Sequence, residues 1–254
     1  MWRFALAWAT GTSHIRHELP CQDRCVCAAL GSSGIVAALA DGAGSAEFAK
    51  DGAEIAVNTI IAFIAVAPIN PTTDFAELLR SSAIAARDAV LAHARERDIE
   101  ARQFASTLLA IVSTEFGSGA VQIGDGVIVV GQDAGQWGWV FWPQRGEYAN
   151  TTRFLTDEDA VTRLEAESFA RPLSHVILIS DGLEPLAIHY AGKSVHAPFC
   201  DGLLGPLLKS DTAGHDAGLS AALVSFITSS AVTSRVDDDV SIILATCRPS
   251  PGSP

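Results

Sequence analysis

The sequence predicts an α+β protein built mainly from antiparallel sheet, and three observations carry that prediction. Two β-hairpins are spelled out by apolar runs flanking turn residues. A pair of helical patterns lies between them, and two apolar strands in the second half of the chain each abut acidic residues. With 254 residues, 48% of them hydrophobic and 18% charged, the chain has material for a sizeable core. No internal repeat or linker divides it, so residues 1–254 are expected to form one domain.

Phe4, Leu6 and Trp8 alternate with small residues and open the chain as a strand, after which residues 11–20 read as a polar loop. Residues 21–30 and 35–41 form the first hairpin around Gly31-Ser32-Ser33-Gly34. Asp23 and Asp41 lie about equally far from that turn, so pairing brings both carboxylates to its open end. Helical spacing covers 47–67 and, after a break at 68–71, 75–98, which suits two antiparallel helices on one sheet face. A second hairpin, 107–112 with 120–125, places Thr107 and Asp125 at its open end by the same counting. Residues 127–130 and 137–141 add strands, and Thr156 before Asp157-Glu158-Asp159 has the pattern of an N-cap with acids in the first turn. Residues 176–180 are a buried strand stopping at Asp181-Gly182, and 240–246 a final strand starting after Asp237-Asp238-Asp239. Antiparallel pairing of these two brings Asp181 to Asp238. Between them lie a loop-rich insert, 183–212, and a helix near 216–229, while the Pro, Ser and Gly tail 248–254 is expected to be mobile.

Charge and composition exclude several classes. Lys and Arg total 17 against 29 Asp and Glu, a net charge of -12 that repels phosphate backbones and anionic lipid, so neither nucleic acid nor a membrane is expected as partner. The longest apolar candidate, 57–69, contains Asn58 and Thr59 and falls short of the roughly 18 residues of a membrane span. The apolar stretch ending at Ala9 is shorter than the roughly 7 to 15 residues of a signal-peptide core, so a cytoplasmic location is expected. Five cysteines, with Cys21, Cys25 and Cys27 crowded together, suit reduced thiols. A zinc site made of these and His14 or His17 is outweighed, because the spacing matches no paired pattern and Cys25 and Cys27 share one strand face, as core residues do. No Lys-Ser/Thr pair follows Gly42 and Gly44, which excludes a P-loop, and no Gly-x-Ser-x-Gly surrounds Ser180. Trp137, Trp139 and Trp142 with Phe141 read as aromatic sheet packing, with an exposed face as the alternative.

Asp23, Asp41, Asp181 and Asp238 therefore collect at one edge of the molecule. Carboxylates that close repel one another unless cations neutralise them, and hard oxygen donors in this number suit Mg²⁺ or Mn²⁺. Gly42 and Gly182 would let a backbone carbonyl or water approach an ion. Two ions roughly 3.5 to 4 Å apart would generate a hydroxide nucleophile and clamp a phosphoryl group, the design of a hydrolase. A single Asp-Gly after a strand is usually only a turn, and Asp237 to Asp239 could be a solvated cluster. Their shared position against buried strands favours the metal reading.

These residues resemble the PPM-type (type 2C) metal-dependent Ser/Thr protein phosphatases, particularly the bacterial branch. The resemblance runs in order through Gly11-Thr12-Ser13-His14 with Cys21-Gln22-Asp23, Ala40-Asp41-Gly42-Ala43-Gly44, Ala105-Ser106-Thr107-Leu108-Leu109, Ile123-Gly124-Asp125-Gly126, Ser180-Asp181-Gly182-Leu183 and Asp238-Asp239-Val240-Ser241. It implies a four-layer α-β-β-α sandwich with two central, mainly antiparallel sheets and a dinuclear Mn²⁺ or Mg²⁺ centre at one end. By the same carry-over Asp41 bridges both ions, the Gly42 carbonyl binds one, and Asp181 and Asp238 bind the other. Asp23 acts mainly through water, and Asp125 supports the site and in some members a third ion. The activity implied is hydrolysis of phosphoserine and phosphothreonine in proteins, opposing a Ser/Thr kinase, with Asp41, Asp181 and Asp238 as the catalytic carboxylates.

Three departures stand out. Gln22 replaces a Glu common in the family, removing one charge and lowering the expected metal affinity. Ala43 follows Gly42 where eukaryotic members carry a His shortly after as proposed general acid. The Arg that meets substrate phosphate in some members is replaced by Glu18 at the expected spacing, leaving His14, Arg16 and His17 as substitutes. The alternative reading is a phosphatase-fold binding module, a pseudophosphatase that recognises a phosphoprotein without turnover.

Overall fold

The computed structural model describes residues 1–132, 136–144 and 152–247. The tail expected to be mobile at 248–254 lies outside the described residues. In chain order the strands are β1 (Trp2–Ala9), β2 (Arg24–Leu30), β3 (Gly34–Ala40), β4 (Leu108–Thr114), β5 (Gly117–Ile123), β6 (Val127–Gly131), β7 (Trp137–Trp139), β8 (Glu165–Phe169), β9 (His175–Ile179), β10 (Ile188–His189), β11 (Ser194–Val195), β12 (Gly214–His215) and β13 (Val240–Cys247). The helices are α1 (Thr12–Arg16), α2 (Ala49–Val66), α3 (Phe75–Glu96), α4 (Ala160–Arg163), α5 (Glu184–Ala187), α6 (Ala197–Lys209), α7 (Ala217–Ile227) and α8 (Ser230–Thr233).

The strands form a five-stranded sheet, β2-β3-β4-β5-β8, and a six-stranded sheet, β12-β1-β13-β9-β6-β7, with β10 and β11 as a separate pair. Every pairing in the two large sheets is antiparallel except β1 with β12. Period-2 alternation divides the central strands between two cores. On β3, Val36, Ala38 and Ala40 face α2 and α3, whereas Ile35, Ala37 and Leu39 face the other sheet. On β13, Ile243 and Ala245 face the five-stranded sheet, and Ile242 and Leu244 face α6 and α7. The layers are therefore helix, sheet, sheet, helix, which is the expected sandwich. Strands buried on both faces read as continuous apolar runs, and that is why their sequence signal is strong.

Three local expectations are corrected. Residues 11–20 contain α1, which is held by tertiary contact: the Ser13 N–H donates to the Asp237 carbonyl at 2.8 Å. Thr156 does not begin a helix. α4 starts after Asp159, and the Asp157 carboxylate instead accepts the Phe154 N–H at 2.9 Å, closing a turn. The insert 183–212 is not loop-rich, since it holds α5, the β10-β11 hairpin and the thirteen-residue α6. Pro198, Gly202, Gly205 and Pro206 hide α6 from local propensity. Pro198 sits in the first turn, where its missing N–H is harmless, and Cys200, Leu204 and Leu207 bury one face on the six-stranded sheet. No helix among the described residues is long and apolar enough to cross a membrane.

Candidate active site

The register of each hairpin fixes the site. In the β2-β3 pair Arg24 stands opposite Ala40, so Asp23 and Asp41 are the next residues outward at the open end. The β4 entrance pins Asp41 from the side: its N–H donates to Thr107 Oγ1 at 3.0 Å and its carbonyl accepts the Thr107 N–H at 2.8 Å, with Gly42 bridged to Ser106 just beyond. In the other sheet Ile179 pairs with Ile242, which brings Asp181 and the residues before Val240 to the same edge. Ser241 Oγ then donates to Asp23 Oδ2 at 2.6 Å and ties the two sheets together at the acids. Thr152 donates to Asp125, placing that carboxylate in a hydrogen-bonded setting at the end of β5.

Burial grades these acids. Asp23 is fully buried, Asp41, Asp125 and Asp181 are partly buried, and Asp238 is exposed. Desolvation pushes Asp23 up to about 6, with the charge of Asp239 adding to the rise and hydrogen bonds from Asp41 and Ser241 opposing it. Asp41 is raised well above the ordinary carboxylate range by desolvation and then by the charges of Asp23, Asp181 and Asp238. Asp181 is pushed up to about 7 by desolvation and then by Asp125, Asp238 and Asp23.

The donor set fits hard divalent cations. Asp23 Oδ1 and Asp181 Oδ1 are buried without a hydrogen-bond partner, and every candidate ligand is oxygen. Among the described residues no three His, Cys, Asp or Glu side chains already stand around one ion-sized point. Gly42 and Gly182 are required by close approach. A Cβ at Gly42 would lie 2.8 Å from Gln22 Cβ and 2.9 Å from Ala49 Cβ, and one at Gly182 would lie 2.5 Å from the Asp239 carbonyl oxygen.

These shifts set a pH dependence. Unfolded carboxylates titrate near roughly 3.9, so between about pH 4 and pH 7 the folded protein binds more protons than the unfolded chain, and cation-free stability falls as pH rises. Chelator-treated protein is expected to melt at lower temperature at pH 8 than at pH 5, with Mn²⁺ narrowing the gap. A melting temperature that rises over this interval in chelator would contradict it.

The run Asp237 to Asp239 divides three ways. Asp237 is exposed and pairs loosely with Arg16 at 3.7 Å, and Asp238 faces outward at the site. Asp239 is buried, accepting the Gly11 N–H at 2.7 Å and the Gln22 N–H at 2.6 Å, with His14 Nδ1 3.0 Å away. Sequence reasoning named Asp239 only as part of a motif and missed this fastening role. Its signal was the third acid placed directly before a buried strand. Of the phosphate-binding candidates, His14 is buried against Asp239, while Arg16 at the end of α1 and His17 just after it are exposed, His17 Nδ1 lying 2.8 Å from the Ser13 carbonyl. Gln22 turns its amide nitrogen toward the Ala46 carbonyl at 3.4 Å and leaves Oε1 buried without a partner.

Comparison with known proteins places this geometry among relatives. The family model described as Protein phosphatase 2C matches residues 10–226. Serine/threonine-protein phosphatase 3 of Escherichia coli (strain K12) is 34% identical over 249 residues, covering 96% of this chain and 98% of that protein. The catalytic domain of serine threonine protein phosphatase PstP, solved in complex with two manganese ions, superposes with a TM-score of 0.67 at 18% identity, over 96% of this chain and 97% of that one. The S. agalactiae serine/threonine phosphatase gives a TM-score of 0.69 at 12% identity, over 98% and 100%. At these identities the two structures show a shared fold.

Proposed function

Because this chain belongs to the protein phosphatase 2C family, we propose that it hydrolyses phosphoserine and phosphothreonine in proteins, using two divalent cations, Mn²⁺ or Mg²⁺, held at the acid cluster. The observation that carries this reading is the convergence of Asp23, Asp41 and Asp181 in desolvated ground, where among the described residues no Lys or Arg forms an ion pair with them. Asp41, Asp181, Asp238 and the Gly42 carbonyl would hold the ions, with Asp23 contributing mainly through water and Asp125 supporting a further ion. Such ions, when bound, supply the charge that acidifies a water and neutralises the phosphoryl oxygens.

The remaining work falls to the chain. Burial and the charges of Asp23 and Asp181 raise Asp41 and favour its neutral form, and bound cations would offset that repulsion. Ser241 fixes the orientation of Asp23, and Asp239 fastens the Gly11 segment and Gln22 around the site. Arg16 at the end of α1 and His17 just after it are proposed to meet the substrate phosphate, whereas His14 is turned inward against Asp239. Arg16 is best suited, because its Nε donates to the Thr12 carbonyl at 3.1 Å while Nη2 makes only an exposed 3.7 Å pair with Asp237 that phosphate can displace. No side-chain nucleophile is needed. A cytoplasmic site of action is supported by the five free thiols, and opposition to a Ser/Thr kinase follows from the proposed substrate alone.

Chelation should abolish hydrolysis of p-nitrophenyl phosphate and of phosphopeptides, and Mn²⁺ or Mg²⁺ should restore it where Zn²⁺ does not. Activity surviving exhaustive chelation, or restored by Zn²⁺ alone, overturns the cation assignment. Absence of hydrolysis with every cation favours the binding-module alternative.

A further inference from the structure

We propose that a pocket beside the acid cluster selects substrates by taking an apolar side chain next to the phosphorylated residue, an inference that rests on the phosphatase reading above. The pocket has a volume of about 230 Å³ and lies between the end of β1, α1, the end of α7 and α8. Its floor is apolar, built from Ile227, Val232, Val236 and Val240, and Ile15 of α1 forms part of its wall.

Two features connect it to the reaction. Asp238, a candidate ion ligand, also lines the pocket, so a phosphoryl group at the acids and a side chain in the pocket share one wall. The short helix α1 serves both places as well: His14 turns inward to Asp239, and the next residue, Ile15, lines the pocket with 61% of its surface exposed. Consecutive Cα atoms are about 3.8 Å apart, so the residue flanking a bound phosphoserine or phosphothreonine reaches this space with its own side chain.

Size and charge define the occupant. A cavity of roughly 150 Å³ accommodates benzene, so this one has room for Leu or Phe. Among the described residues Asp238 is the only charged one lining it, and the apolar floor disfavours a charged neighbour such as Glu, whereas the exposed part of Ile15 gains from being covered. The partner is therefore a phosphopeptide with a bulky apolar residue beside the phosphorylated one.

The test uses phosphothreonine peptides differing only at the flanking positions, with Leu, Phe, Gly or Glu, alongside p-nitrophenyl phosphate, which has no flanking residue. The Leu and Phe peptides should exceed the Gly and Glu peptides about tenfold in kcat/KM, in line with the discrimination a hydrophobic pocket provides. Ile15→Asp, at an exposed position, should erase that difference while p-nitrophenyl phosphate hydrolysis and the melting temperature stay unchanged. Thr228→Trp, which fills the pocket from an exposed site, should do the same. Equal rates for all wild-type peptides, or variants that retain the preference, overturn the proposal. So do variants that lose p-nitrophenyl phosphate and peptide hydrolysis in parallel. Wild-type protein that leaves p-nitrophenyl phosphate untouched with Mn²⁺ overturns the phosphatase reading, and the pocket assignment with it.

Discussion

Asp41→Asn is expected to lower Mn²⁺-supported turnover by more than about 100-fold, beyond the roughly 10- to 100-fold typical of groups one layer removed from a metal, while the chelated protein melts no lower than wild type. The two halves have one cause. Burial and the charges of Asp23 and Asp181 push the Asp41 carboxyl well above the ordinary range and so favour its neutral form when no cation is present, and a neutral amide replaces that form without loss of volume. The substitution also deletes one of the charges whose mutual repulsion raises Asp41 and Asp181. With cations the same amide lacks the negative charge that holds them. Circular dichroism and melting in chelator, followed by a Mn²⁺ titration of activity, separate folding from loading. Normal turnover in the purified variant would reject Asp41 as a ligand, and a chelated variant that unfolds well below wild type would reject charge repulsion as the cause.

The second large effect concerns stability. Asp239→Ala should cost about 3 to 5 kcal/mol, because it leaves the Gly11 and Gln22 N–H groups unpaired in a buried setting and removes the charge beside His14. That is a large share of the roughly 5 to 15 kcal/mol that stabilises a typical domain. Asp239→Asn should cost less, since one oxygen remains as acceptor while the amide nitrogen faces a second donor. Urea unfolding in chelator isolates the structural effect from any change in cation affinity. A loss below about 1 kcal/mol for the alanine variant would mean that water or a rearranged Gly11 segment satisfies both groups.

Local pattern carried the fold a long way. The first hairpin has a turn of small and polar residues between apolar runs, so counting outward from Gly31-Ser32-Ser33-Gly34 was enough to place Asp23 beside Asp41, one step beyond the Arg24-Ala40 pair. The same logic aligned residues 176–180 with 240–246, because strands buried on both faces leave long apolar runs bounded by acids. It failed at α6, where the prolines and glycines argue against a helix and only burial of Cys200, Leu204 and Leu207 on the sheet argues for one.

By itself the sequence determined the central strands, the register of the first hairpin and the set of acids gathered at one edge, because period-2 alternation and turn chemistry act over a few residues. Only the tertiary structure decided what each acid does there. Asp237, Asp238 and Asp239 are alike as letters, yet Asp239 becomes a buried fastening because Gly11 and Gln22, more than two hundred residues earlier, present their N–H groups to it. Asp23 is likewise bound to Ser241 across the two sheets. Such contacts depend on which faces the packed layers turn toward each other, and no window of neighbouring residues contains that information.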